Sequence, residues 1–151
     1  MVLKSNDIAA RMEDSQSPNK RLIISPNTTQ DDQDELAKSG SASIDLRLGT
    51  WFVLLRRMNK EALDIAISAA SSTEECDSEI SVSHYVPFGQ RFILHPGAFV
   101  LGVTLEWIRL PIDLAAEVIG KSSLGRQGII IATATAVHPG FSGCLTLEIA
   151  N

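Results

Sequence analysis

Cysteine and histidine are scarce in this chain: two cysteines and three histidines among 151 residues. Two cysteines, Cys76 and Cys144, far apart in sequence, exclude a disulfide scaffold. They and His84, His95 and His138 show no metal-ligand spacing, and neither H-x-E nor P-C-x-x-C occurs. A structural or catalytic zinc is therefore not expected. The common phosphate and nucleophile loops are missing too. A Walker loop would need glycine at position 115 ahead of Gly120-Lys-Ser122, and Ala115 stands there. No G-x-S-x-G elbow occurs.

Basic charge is in short supply. The net charge is −5 and the pI is near 5.1. All the excess acid lies before residue 90; beyond it, Arg91, Arg109, Lys121 and Arg126 balance Glu106, Asp113, Glu117 and Glu148. Nucleic-acid binding needs a broad basic face and is not expected. A small anionic ligand stays open, held by a few focused cations. Residues 127 to 147 lack Asp, Glu, Lys and Arg, but His138-Pro-Gly-Phe-Ser-Gly143 puts a turn in their midst. A membrane-spanning helix does not tolerate that turn, whereas two buried strands joined by it fit. The opening residues show no basic, apolar leader pattern.

What is present reads as one folded domain over residues 1–151, with 44% apolar and 21% charged residues. A short helix starts at Ser5 or Asn6 and carries Ile8, Ala9 and Met12 at helical spacing. A short strand, residues 21–25, ends at Pro26. The acidic stretch around Asp31, Asp32, Asp34 and Glu35 reads as a solvated loop. From Ser43 the period is two: Ile44, Leu46 and Leu48 alternate with Asp45, Arg47 and Gly49. Residues 51–55 continue as a buried strand. Residues 62–70 fit helix or strand, and 71–78 read as a polar loop. Further strands are predicted at 92–94, 99–105, 115–119, 129–137 and 144–149, separated by proline and glycine breakers. Short strands at this spacing predict a β-sandwich, jelly roll or barrel.

The sequence echoes itself. His95-Pro-Gly97 leads to Thr104-Leu-Glu106, and His138-Pro-Gly140 leads to Thr146-Leu-Glu148. Leu101, Val103 and Leu105 are predicted to share one apolar face, as are Leu145, Leu147 and Ile149. Glu106 and Glu148 would then both point away from it.

Two features could carry chemistry. In Gly120-Lys-Ser-Ser-Leu-Gly-Arg126 a strand ends, glycine frees the backbone, and Lys121 and Arg126 bracket Ser122 and Ser123. N–H groups, hydroxyls and cations so grouped can hold phosphate oxygens, and a plain polar turn is the alternative. Glu148 lies among apolar residues, where a carboxylate is costly to bury unpaired. It is either a sheltered general base or a solvent-facing or paired side chain. Glu106 has the same local claim, and spacing does not choose between them. His138 reads as a turn residue, Cys76 as a loop thiol, Cys144 as a small buried residue, and Trp51 and Trp107 as core or interface.

The motifs Ser43-Ile-Asp-Leu-Arg-Leu-Gly49, Leu94-His-Pro-Gly97, Val103-Thr-Leu-Glu106, Gly120-to-Arg126 and His138-to-Glu148 resemble, in this order, those of dCTP deaminases. Leu3-Lys-Ser-Asn-Asp-Ile8 is similar to the same family's opening. The resemblance, within the dCTP deaminase/dUTPase superfamily, covers the chain except about residues 56–86. It implies a mainly β, distorted jelly-roll or β-barrel (dUTPase-like) subunit with a short N-terminal helix. It also implies a cytoplasmic homotrimer with active sites between subunits, which converts dCTP to dUTP and ammonia. Mg²⁺ would arrive with the triphosphate, with no zinc. Glu148 matches the family's catalytic glutamate, and Ser122 and Arg126 match the residues that support it. Lys121 and Ser123 match phosphate contacts, and Ala136, Val137 and His138 fall where sugar and base are touched. A dUTPase-like pyrophosphatase and an inactive nucleotide-binding trimer are the alternatives.

The pattern departs from the family at three places. Lys121 replaces the usual arginine, which keeps the charge but loses a bidentate fork. The segment from Gly128 to Pro139 is about one residue shorter than the commonest pattern. His138 stands where that pattern has an aspartate. Relatives also continue with further strands and a phosphate-closing tail, so the natural chain is expected to run beyond Asn151. The final strand is expected to pair within the fold.

Overall fold

The computed structural model describes residues 2–13, 17, 19–26, 41–55 and 81–151. In chain order it comprises helix α1 (Ser5–Glu13) and strands β1 (Ile23–Ser25), β2 (Leu48–Leu55), β3 (Ser81–Tyr85), β4 (Phe99–Arg109) and β5 (Ala116–Glu117). A one-turn helix α2 (Ser122–Gly125) and strands β6 (Ile130–Ile131), β7 (Ala136–Val137) and β8 (Ser142–Ala150) complete it. The readings of residues 62–70 and 71–78, of the acidic stretch Asp31 to Glu35, and of Cys76 lie outside the described residues.

The fold is mainly β with a short N-terminal helix, as the sequence predicts. The main sheet is antiparallel, in the order β3-β2-β4-β8-β6, and β1 adds to β4. β5 and β7 form a separate two-stranded ribbon. Among the described residues the sheet stays open rather than closing into a barrel. Helix α1 buries Ile8 and Met12, one turn apart, against Leu22, Ile108, Leu110 and Val137. A second core cluster gathers Phe52, Val86, Val100 and Ile149. Arg11 ties the helix to the turn after β4, with Nη2 2.8 Å from Asp113 Oδ2. That hydrogen bond holds the Asp113 carboxyl below its ordinary value of 3.8.

The spine is β4, which pairs with β1, β2 and β8. Its inward residues are Val100, Gly102, Thr104, Glu106 and Ile108, all buried. A side chain at Gly102 would lie 3.1 Å from Leu48 Cδ1 and 3.4 Å from Phe52 Cε1 and Ile149 Cδ1. Glycine there leaves room for the side chains of β2 and β8 to meet. As predicted, Leu101, Val103 and Leu105 share one face of β4, but it is the half-buried outer face rather than the core one. On β8 the prediction holds, with Leu145, Leu147 and Ile149 packed into the two clusters. Glu106 points away from Leu101, Val103 and Leu105, as predicted, and on β4 that direction is inward.

Glu106 is buried because it is paired. Its Oε2 accepts the backbone N–H of Arg47 at 2.8 Å, and its Oε1 accepts Arg47 Nε at 2.6 Å. Arg47 C=O accepts the N–H of Leu105 at 2.8 Å. These bonds fasten residues 43–47 along β4 without making them a ladder strand, which starts only at Leu48. Nearby, Thr104 Oγ1 accepts the Leu145 N–H at 2.9 Å and donates to Glu106 C=O at 2.8 Å. It satisfies polar groups where the β4–β8 register slips between Val103 and Trp107.

Other strand expectations divide. Residues 92–94 are irregular, and 129–137 split into β6 and β7, which join different sheets. β3 has no counterpart in the sequence reading. β8 pairs with β4 over most of its length and with β6 at Ile149 and Ala150, as a final strand paired within the fold requires. Trp51 is 57% exposed, and Leu54 and Leu55 are exposed too, so of the predicted buried strand 51–55 only Phe52 reaches the core, and Cys144 is exposed rather than buried.

Glu106→Ala removes two hydrogen bonds to a carboxylate and leaves the Arg47 N–H unpaired. Arg47 itself is half exposed, so the expected loss is about 2–3 kcal/mol rather than the full cost of breaking a buried pair. Urea unfolding would show a lowered midpoint at unchanged slope, and an unchanged midpoint would contradict the anchor.

Candidate active site

The chain leaves the β5–β7 ribbon at Val118, whose N–H bonds Thr135 C=O at 2.8 Å, and enters the turn that the sequence singled out. Lys121 is extended at the start of α2, and the N–H groups of Leu124 and Gly125 bond back to its carbonyl at 3.0 and 3.1 Å. The N–H groups of Ser122 and Ser123, at the very start of α2, have no carbonyl to reach within so short a helix. Every residue from Lys121 to Gly128 is exposed. Arg126 Nη1 reaches Ser122 Oγ at 3.4 Å. Lys121 Nζ lies 2.6 Å from Asp45 Oδ2. Lys121, Ser122, Ser123 and Arg126 therefore share one solvent-facing turn.

Glu148 sits on β8 directly opposite Leu101 of β4. Because Leu147 and Ile149 point into the core, Glu148 occupies the outer face, half-buried. Its backbone is held on the side away from β4. Its N–H donates to Thr133 Oγ1 at 2.6 Å, and its C=O accepts the Ala132 N–H at 2.8 Å. Thr133 was not anticipated; its only cue was a hydroxyl within the chargeless run of residues 127–147. Among the described residues the Glu148 carboxylate has no hydrogen-bond or ion-pair partner.

Ala136, Val137 and His138 line an open cavity of about 500 Å³ with Val118, Thr133, Phe141 and Leu145. Val137 is buried in its floor, whereas Ala136 and His138 are exposed. The turn below it repeats the earlier one. Ala98 N–H bonds His95 C=O at 3.0 Å, and Phe141 N–H bonds His138 C=O at 3.2 Å. Gly97 and Gly140 adopt φ of 73° and 78°, the positive value that the third residue of a type II turn requires. Thr133 joins cavity and glutamate, since it lines the one and bonds the other. Glu148 and the Lys121–Arg126 turn do not line this cavity.

The family model described as dCTP deaminase-like matches residues 2–151. The chain belongs to the dCTP deaminase-like family. It is 40% identical over 152 residues to a protein of Halorubrum lacusprofundi named dCTP deaminase, covering all of this chain and 67% of that one. It is 39% identical over 152 residues to a protein of Dictyoglomus thermophilum named dCTP deaminase, dUMP-forming, covering all of this chain and 70% of that one. The fold resembles the crystal structure of 2'-deoxycytidine 5'-triphosphate deaminase from Agrobacterium tumefaciens, with a TM-score of 0.50 at 23% identity. That likeness covers 71% of this chain and 32% of the other. Among the described residues of this dCTP deaminase-like chain, no three His, Cys, Asp or Glu side chains converge as metal ligands. No described helix is long and apolar enough to cross a membrane.

Thr133→Val should cost about 1 kcal/mol, since the Glu148 N–H loses its acceptor. Thr133→Ser should unfold close to the wild-type temperature. Equal melting temperatures for Val and wild type would show that the hydroxyl does not hold Glu148.

Proposed function

We propose that this chain deaminates dCTP to dUTP and ammonia as a cytoplasmic homotrimer with active sites between subunits. The observation that carries the reading is Glu148: a carboxylate fixed by its backbone, without a side-chain partner among the described residues, beside Leu101 on an apolar face. Such a group can take a proton from water, and the water oxygen then attacks the ring carbon that bears the amino group. The protons return to the ring nitrogen and to the departing ammonia, so water is consumed and one ammonia leaves. Ser122 and Arg126 support this step. Lys121 and Ser123 take the phosphates, and Ala136, Val137 and His138 meet sugar and base. Mg²⁺ enters as part of the substrate, bound to the triphosphate, and no zinc takes part.

The trimer is supported by the outer face of the sheet. Trp51 and Tyr85 are 57% and 50% exposed with ring centroids 5.1 Å apart, and Trp107 is 37% exposed. Val53, Leu101, Val103 and Leu105 lie on the same face. Apolar surface of this kind marks an interface between chains. Covering it would shelter Glu148 and let one copy supply the Lys121–Arg126 turn to another.

A second reading, in which the product is dUMP, is favoured by the name of the Dictyoglomus thermophilum relative. Against it stands His138, at the place where related pyrophosphatases have an aspartate to activate water.

Glu148→Gln keeps the shape but cannot accept the proton, so turnover of dCTP should fall about 10²–10⁴-fold. Glu106→Gln should keep turnover within a few-fold. Wild-type turnover in the Glu148 variant would overturn the assignment. Light scattering should give a mass about three times the chain's 16.3 kDa, and an active monomer would contradict the shared site.

A further inference from the structure

Asp45 has no part in the reaction as proposed, yet its carboxylate holds the lysine assigned to phosphate, 2.6 Å from Nζ. The two partners are mounted differently. Asp45 lies on an anchored segment: Ile44 and Leu46 pack against the first core cluster, and Arg47 is bonded to Glu106, whose side chain is 4% exposed. Alternate residues of an extended segment share a face, so Asp45 is carried on the side that Arg47 occupies. Lys121 reaches it from an exposed turn on a flexible four-carbon stem. Their side chains are 73% and 55% exposed, so the contact is weak and exchangeable. Arg126, the other cation of the turn, touches only Ser122 Oγ among the described residues.

Resting on the reading that this turn receives phosphate, we infer that Asp45 competes with the phosphate for Lys121. It thereby sets the phosphate affinity of the turn. A phosphate oxygen needs the ammonium that the carboxylate occupies. The two cations are therefore unequal: Arg126 is available at once, and Lys121 must exchange an internal anion for an external one. Asp45 is a positioning residue that acts through Lys121.

The test is calorimetric titration of the 151-residue chain with inorganic tripolyphosphate, alongside dCTP kinetics. Freeing Lys121 from an exposed pair should tighten tripolyphosphate binding by Asp45→Asn about two- to fivefold. The KM for dCTP should fall by a similar factor at unchanged kcat. Asp45→Glu, which restores the carboxylate, should behave as wild type. In a Lys121→Ala background, Asp45→Asn should change nothing further. Unchanged or weaker binding by Asp45→Asn overturns the competition, and so does an equal gain in the Lys121→Ala background, which would be direct repulsion. A Lys121→Ala chain that binds as tightly as wild type overturns the phosphate reading of the turn itself.

Discussion

The antiparallel ladder between β4 and β8 is the constraint on which the rest of the structure depends. β4 is committed on both edges, to β1 and β2 on one and to β8 on the other. Its inner face is fixed by Val100, Gly102 and Ile108 in the core. Once Val100 pairs with Ile149 and Leu101 with Glu148, Glu148 has no freedom to face inward. A slip of one residue would bury the carboxylate in the second cluster without a partner, at a cost the fold could not carry.

The same ladder separates two glutamates that look alike in sequence. Glu106 follows Gly97 by nine residues and Glu148 follows Gly140 by eight. The two turns share hydrogen bonding and glycine conformation, so the single extra residue sends the two side chains to opposite faces. Glu106 goes inward and is neutralised by Arg47, which fastens residues 43–47 to the sheet. Glu148 goes outward and stays unpaired among the described residues. One carboxylate stabilises the scaffold, and the other is left for the proposed chemistry.

Much of this was legible in the sequence, because it rests on local patterns. The α1 helix, the strands read at residues 21–25 and 99–105, the two HPG turns and most of β8 follow from apolar periodicity and from proline and glycine placement, although the second strand runs on to Arg109. The shared turn of Lys121, Ser122, Ser123 and Arg126 follows from its own spacing. What was not legible depends on pairing partners. Residues 43–47 alternate like a strand, but their donors and acceptors go to Glu106 and Leu105 rather than to a ladder. The run 129–137 reads as one strand, yet its halves join different sheets. Which face of β4 is core was not legible because both faces carry apolar residues, and only the neighbours decide it. Thr133 and Asp45 were invisible for the same reason: their partners lie 15 residues away in sequence and across the fold.

The measurement that tests the account most directly is product analysis of the purified protein incubated with dCTP and Mg²⁺. Ammonia should be released in step with dCTP consumed, with uracil nucleotide as the only new base. Unchanged dCTP, or pyrophosphate released while the cytosine amino group is retained, would contradict it.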